Sequence, residues 1–208
     1  HALLCLLTDT VDASVMDFIG PQLKIISNMA AGLDNVEVHE AVKRGITFTN
    51  TPGVLTEAVA EHTVALLLAV SRRVVEGDQL VRAKKYKGRQ VDLLLGQELQ
   101  GKLLGIVGYG RIGSRVAEIL GKGFGMKVMY HDEHRNEIAE KHNAQYVSFD
   151  DLLESSDVVS LHVPLLATTT HLVGEKELRM MKRTAYLINT SRGAVVDEKA
   201  LAKALKEN

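Results

Sequence analysis

Short apolar runs alternate with amphipathic stretches along almost the whole chain, and that alternation suits a parallel sheet covered by helices on both faces. The apolar runs at 2–7, 23–28, 46–49, 103–107, 127–131, 157–163 and 185–189 have strand length and carry Val, Ile or Leu. Between them, 36–44, 111–120, 137–142, 150–154 and 199–206 show helical periodicity. Parallel neighbours need a crossover, and a helix supplies it. No segment repeats at solenoid spacing and none is of low complexity. The pattern predicts an α/β chain.

The alternation breaks once. Residues 57–73 (EAVAEHTVALLLAVSRR) read as one long apolar helix, and 74–86 continue as a charged amphipathic one. A helix that apolar is expected to be buried on most sides, between domains or against a second subunit. The polar stretch 87–101 then leads into a new strand. We therefore expect a partial α/β unit at 1–54 and a more complete one at 55–208.

Composition removes several classes of function. With 25 basic and 26 acidic residues, the net charge of −1 offers no electrostatic footprint for nucleic acid or an anionic membrane. No apolar run approaches the ~18 residues that span a bilayer. The opening run 2–7 lacks a basic flank and a cleavage site, so it reads as a strand and not as a signal peptide. A single cysteine, Cys5, permits no internal disulfide and fits a reducing, cytoplasmic compartment. No H-E-x-x-H, C-x-x-C or spaced carboxylate cluster is present, so no metal is expected. The chain starts at His1 rather than Met and stops just after a helix-like stretch, which reads as a piece of a longer protein.

Gly108-Tyr109-Gly110-Arg111-Ile112-Gly113 is a G-x-G-x-x-G. Such a pattern is weak alone, but here it follows the strand-like 104–107 and opens a helix-like run. In that setting the first glycine permits a tight turn and the second lets a pyrophosphate approach the backbone. The third allows close helix–strand packing, and the helix N-terminus offers free N–H groups. An acid is expected about 20 residues later, at the end of the next strand. Asp132 stands 19 residues past Gly113, directly after 128–131. Its carboxylate would accept from ribose hydroxyls and repel a 2′-phosphate, which favours NAD over NADP. Nearby Arg135 keeps the phosphate alternative open, against a plain surface charge.

Leu187-Ile188-Asn189-Thr190-Ser191-Arg192-Gly193-Ala194-Val195-Val196-Asp197 places an Arg at the C-terminal end of a predicted parallel strand. Its guanidinium could grip a carboxylate bidentately, or could cap the sheet through salt bridges; the strand pattern fits both.

Taken together, these segments resemble the D-isomer-specific 2-hydroxyacid dehydrogenases, and the resemblance runs through essentially all 208 residues. The 189–197 run is similar to that family's N-x-[SA]-R-G-x-x-V-D motif. Met29-Ala30-Ala31-Gly32-Leu33-Asp34-Asn35 resembles its substrate-carboxylate loop. Asn50-Thr51-Pro52-Gly53-Val54-Leu55-Thr56 with Ala60-Glu61 resembles its entry into a long interdomain helix, and Val163-Pro164-Leu165 a strand end lining the cofactor. The wording is most similar to the glyoxylate and hydroxypyruvate reductase branch.

The resemblance implies two Rossmann-like parallel-sheet domains, a partial flavodoxin-like substrate domain and an NAD-binding Rossmann domain. It implies that Ala31 and Gly32 contact substrate, and that Gly108, Gly110, Arg111, Ile112 and Gly113 hold pyrophosphate. Asp132 would take the ribose, and Val163, Thr190 and Ser191 the nicotinamide side. Arg192 would bind a small 2-oxoacid, polarise its carbonyl and border the cofactor. Hydride transfer would then give the D-2-hydroxyacid, in a homodimer. A Glu–His pair is also implied, with His as proton donor; both are expected beyond residue 208. His39, His62, His131, His134, His142, His162 and His171 are read as structural or solvated. Phosphoglycerate dehydrogenase-type activity and a non-catalytic NAD-sensing corepressor stay open as alternatives, because one fold serves all three.

Overall fold

Every strand among the described residues pairs in parallel, in one of two sheets. The structure, a computed structural model, describes all residues except Arg89, Ile138, Glu140, Lys141, His142 and Asn208. It divides into two units, His1–Thr56 and Glu57–Asn208. The helix expected at 137–142 falls on four of the residues outside the described set. No helix of the described residues is long and apolar enough to cross a membrane.

In the first unit, β1 (Ala2–Cys5), β2 (Ile25–Asn28) and β3 (Thr47–Thr49) lie side by side in that order. Two short helices, α1 (Ala13–Ile19) and α2 (Val38–Lys43), make the crossovers. Cys5, Met16, Ile26, Ala41 and Ile46 form the core between sheet and helices. β1 stops at Cys5 rather than residue 7 because the Leu6 N–H turns to Asp9 Oδ2 (2.7 Å) and the Leu6 carbonyl accepts from Asp9 N (3.0 Å). α1, at seven residues, is too short to show a helical stripe, and the sequence reading missed it. Its signal was Asp12, whose carboxylate caps the Val15 N–H at 3.0 Å.

The second unit opens with α3 (Thr56–Ser71, its first residue in the preceding unit) and α4 (Val74–Arg82). Arg73, in the left-handed region at φ 53°, separates them, so α3 ends two residues early; α4 ends at Arg82 rather than 86, with Lys84 again left-handed at φ 56°. Ala60, Thr63, Val64, Leu67 and Ser71 recur at helical spacing and form the buried face of α3. Within this chain Leu66 (39%) and Val70 (46%) stay exposed, and α4 buries none of its residues.

β4 (Leu103–Val107), β5 (Lys127–His131), β6 (Gln145–Tyr146), β7 (Val158–Leu161) and β8 (Tyr186–Asn189) form the second sheet, ordered β6-β5-β4-β7-β8. α5 (Arg111–Glu118) widens into a π turn at Ile119–Gly123 before β5. α6 (Phe149–Ser155) precedes β7, α7 (Glu175–Met180) precedes β8, and α8 (Glu198–Glu207) follows it. Two-residue β6 and six-residue α7 are too short to leave a period, and neither was expected. The chain thus builds outward from β4 through β5 to β6, then returns across the sheet to β7 and β8. That reversal opens a crevice at the C-terminal ends of β4 and β7, where such sheets bind ligands.

β4 is covered on both sides, with Leu104 and Ile106 in one core and Val107 in the other. Gly105 lies where α6 comes closest. A Cβ there would stand 2.6 Å from Leu152 Cδ2 and 2.3 Å from Ser156 Oγ. We predict that Gly105→Ala destabilises the second unit by about 1–3 kcal/mol through overpacking. Gly123→Ala, with nothing within 4 Å of its Cβ, should cost far less. Urea unfolding of both variants checks the pair.

Candidate functional site

Three glycines shape the crevice, each for a different reason. Gly108 has φ 88°, and a Cβ on it would come within 2.9 Å of the His162 carbonyl, so the loops after β4 and β7 touch backbone to backbone. A Cβ on Gly113 would sit 2.2 Å from the Gly108 oxygen, so α5 packs directly beneath the loop. Gly110 has nothing within 4 Å, which leaves open space before the backbone. It is also the N-cap of α5, and no side chain caps that helix. Arg111 and Ile112 begin it, so their N–H groups belong to the set a helix leaves unpaired.

Asp132, just past β5, is tied to this loop. Its Oδ2 accepts from the Tyr109 N–H at 2.7 Å and its Oδ1 from the Glu133 N–H at 2.8 Å. Tyr146 Oη donates to the Asp132 carbonyl (3.2 Å), and the Arg135 guanidinium lies over the Tyr146 ring, 5.2 Å from its centroid. The Arg that left the phosphate alternative open is thus stacked on an aromatic face. The Asn136 side chain donates to the Tyr109 carbonyl at 3.2 Å, a second brace on the loop that the sequence did not reveal.

A cavity of about 400 Å3 opens here, with Gly108, Gly110, Asp132, His162, Val163 and Leu172 in its wall. Burial pushes the His162 imidazole down to about 4, and its Nε2 lies 2.8 Å from Ser160 Oγ. The wall is therefore uncharged at that point near neutral pH, which suits a flat, neutral ring.

On the far side of β7, the end of β8 is fixed by one side chain. Asn189 Oδ1 accepts from the Ser191 N–H (3.0 Å) and from Ser191 Oγ (2.7 Å), while its Nδ2 donates to the Arg192 carbonyl (2.9 Å). Arg192 is half-buried and its Nη1 donates to the Ser191 carbonyl at 3.0 Å. Thr190 Oγ1 lies 2.8 Å from Thr63 Oγ1 on α3, and Thr63 donates to the Val59 carbonyl (2.8 Å). With the Thr63 proton spent on Val59, the Thr190 hydroxyl is the donor between them. Asn189 stands at the head of the 189–197 motif but was given no role of its own from sequence, and Thr63 was not singled out, since a Thr in a helix carries no distinctive pattern.

The structure therefore brings Gly108, Gly110, Gly113, Asp132 and Val163 to one crevice, and Thr190, Ser191 and Arg192 to the C-terminal edge of the same sheet. Ala31 and Gly32 belong to the other unit, in the loop after β2. There the Ala30 carbonyl accepts from the Thr51 N–H, the Ala31 carbonyl from Asn50 Nδ2 and the Gly32 carbonyl from Asn28 Nδ2, each at 3.0 Å. Among the described residues, no group of three or more His, Cys, Asp or Glu side chains is placed to hold a metal ion.

Comparison with known proteins supplies the family. The model for the NAD-binding domain of D-isomer specific 2-hydroxyacid dehydrogenases matches residues 64–208. A glyoxylate reductase of Korarchaeum cryptofilum is 55% identical over 208 residues, covering 99% of this chain and 62% of that protein. One from Thermococcus litoralis is 54% identical over 211 residues, covering 99% and 63%. The crystal structure of D-lactate dehydrogenase from Aquifex aeolicus complexed with NAD and lactic acid superposes with a TM-score of 0.92 at 37% identity, over 99% of this chain and 61% of that one. A glyoxylate reductase from Paecilomyes thermophila gives 0.90 at 36%, over 99% and 63%. The chain thus spans somewhat over three-fifths of the length of these curated relatives, 62% and 63%.

Proposed function

The chain belongs to the D-isomer specific 2-hydroxyacid dehydrogenase family, and from that premise we propose that it serves the NADH-dependent reduction of a small 2-oxoacid to its D-2-hydroxyacid. Glyoxylate and hydroxypyruvate are the substrates of choice, in keeping with the relatives' names. One observation carries the proposal: Arg192 is held by Asn189 at the edge of the same sheet whose crevice holds the glycine loop and Asp132.

The residues present fit a dinucleotide. A Cβ at Gly108 or Gly113 would collide with backbone, and only Gly110 opens onto free space, so the loop leaves backbone bare where a pyrophosphate needs N–H donors. In this reading Gly108, Gly110, Arg111, Ile112 and Gly113 hold the pyrophosphate, and Asp132 takes the ribose hydroxyls. Val163, Thr190 and Ser191 line the nicotinamide side, with Arg192 beside it. The reduced nicotinamide, when bound, supplies the hydride. Arg192 grips the substrate carboxylate and stabilises charge that develops on the carbonyl oxygen, a task for a planar fork of donors. In the first unit, Ala31 and Gly32 are the residues assigned to contact substrate, through their backbone N–H groups. His162 is kept neutral by burial and is no proton donor near pH 7. The acid is assigned to no residue of this chain.

NADH is preferred over NADPH because the Asp132 carboxylate would face a 2′-phosphate. Two unit charges ~4 Å apart repel by about 4 kcal/mol at an effective dielectric near 20. The exposed apolar residues Leu66 and Val70 on α3, with Val74, Val75 and Val81 on α4, are assigned to a homodimer interface. The reducing compartment inferred from Cys5 belongs to the same proposal.

In the intact protein, loss of absorbance at 340 nm with glyoxylate and NADH tests the activity. Arg192→Lys keeps the charge but loses the fork, so kcat/KM should fall at least a hundredfold with NADH affinity nearly unchanged. Equal losses in both would remove Arg192 from the substrate. Asp132→Ser should shift the NADH/NADPH ratio of kcat/KM toward NADPH by at least tenfold, with some loss of NADH affinity because the Tyr109 N–H loses its acceptor. A wild-type preference for NADPH of tenfold or more would place Arg135 in charge of selectivity. Light scattering at micromolar concentration should give the dimer mass; a monomer would count against the α3–α4 interface.

A further inference from the structure

In the loop after β2 the carbonyls have partners that the family resemblance does not specify. Three consecutive carbonyls, of Ala30, Ala31 and Gly32, each accept a hydrogen bond at 3.0 Å from within their own unit. The peptide bond is planar and trans, so the N–H that follows each carbonyl points the opposite way. The N–H groups of Ala31 and Gly32 therefore face away from the Asn50-Thr51 segment, and that of Leu33 faces away from Asn28. None of the three donates to any described residue. Consecutive backbone donors left without a protein acceptor are available to an anion.

Two side chains impose this orientation. Asn28 is 2% exposed at the end of β2, and its hydrogen bonds are saturated. Nδ2 gives its two protons to the Gly32 carbonyl (3.0 Å) and Asn35 Oδ1 (2.8 Å), while Oδ1 accepts from Cys5 Sγ (3.5 Å). Turned over, the amide would set oxygen against oxygen at both Gly32 and Asn35. Asn35 is itself locked, with Nδ2 donating to the carbonyls of Leu6 (2.9 Å) and Asp9 (3.0 Å). Asn50, from the loop after β3, holds the Ala31 carbonyl.

We propose that Asn28 and Asn50 are positioning residues for the substrate carboxylate: they turn the loop's carbonyls inward and so present the N–H groups of Ala31, Gly32 and Leu33 to it. This rests on the 2-oxoacid reading above, and it adds Leu33 as a third donor. A carboxylate has lone pairs enough to accept from all three. Neither Asn touches substrate, so their loss should weaken carboxylate capture and leave the chemistry of a bound substrate largely intact.

Hydrogen exchange read by mass spectrometry, on the intact protein with saturating NADH and with or without oxamate, tests the site. Oxamate presents the same carboxylate as a 2-oxoacid but carries an amide that resists hydride. Amides in 31–33 should exchange at least tenfold more slowly with oxamate bound. Asn28→Leu keeps the volume and removes the donors, and Asn50→Ala removes the other; neither adds charge. Each should raise the oxamate Kd and the glyoxylate KM at least tenfold, change kcat less than threefold and leave NADH affinity unaltered. Protection at 31–33 in the wild type, with oxamate affinity unchanged in both variants, overturns the positioning roles and leaves the 2-oxoacid reading standing. Protection elsewhere but not at 31–33 overturns the placement of substrate itself. If Asn28→Leu does not fold, as judged by its thermal transition, Asn50→Ala alone decides.

Discussion

At the crossing of the loops after β4 and β7, the Gly108 Cα lies so close to the His162 carbonyl that a Cβ would be 2.9 Å from it. Everything proposed for the second unit depends on that approach. A larger residue would force the two loops apart, because neither neighbour is the flexible end of a side chain. The same loop is pressed from below by α5, where Gly113 meets the Gly108 oxygen. Packing on two sides leaves the backbone open at Gly110, where a Cβ would meet nothing within 4 Å.

The carboxylate of Asp132 extends this constraint to β5. By accepting the Tyr109 N–H, it fixes the loop and its own carboxylate with one bond. In the proposed reading the same acid would hold the loop and read the cofactor, which would couple selectivity and loop order at a single residue. The stack of Arg135 on Tyr146, whose hydroxyl meets the Asp132 backbone, ties the remaining charge of the region into the same framework.

The two candidate substrate elements follow one device in separate units. Asn189 folds the 190–192 segment back by accepting from Ser191 and donating to Arg192. Asn28 and Asn50 do the converse for 30–32, donating only to carbonyls. In each case an amide side chain, which offers both donor and acceptor, sets the direction of neighbouring backbone without a helix or strand to do so.

Local chemistry determined much of this protein in advance. Apolar runs of strand length forced parallel sheets, and G-x-G-x-x-G after 104–107 with Asp132 after 128–131 marked the βαβ unit, since turn chemistry and strand burial act over a few residues. The 189–197 run singled out Arg192 in the same way. Tertiary structure alone decided the rest. Seven-residue α1, two-residue β6 and six-residue α7 exist because neighbours hold them, being too short to imprint a period. The apolar composition of α3 could not say which face the chain covers, because a stripe is defined only by what packs against it. The sequence gives no role to Asn28, Asn50, Asn189 or Thr63, and their roles come from partners 2 to 127 positions away. Hydrogen bonds between distant residues leave no spacing to read, so only the folded chain reveals which carbonyls are taken and which N–H groups remain.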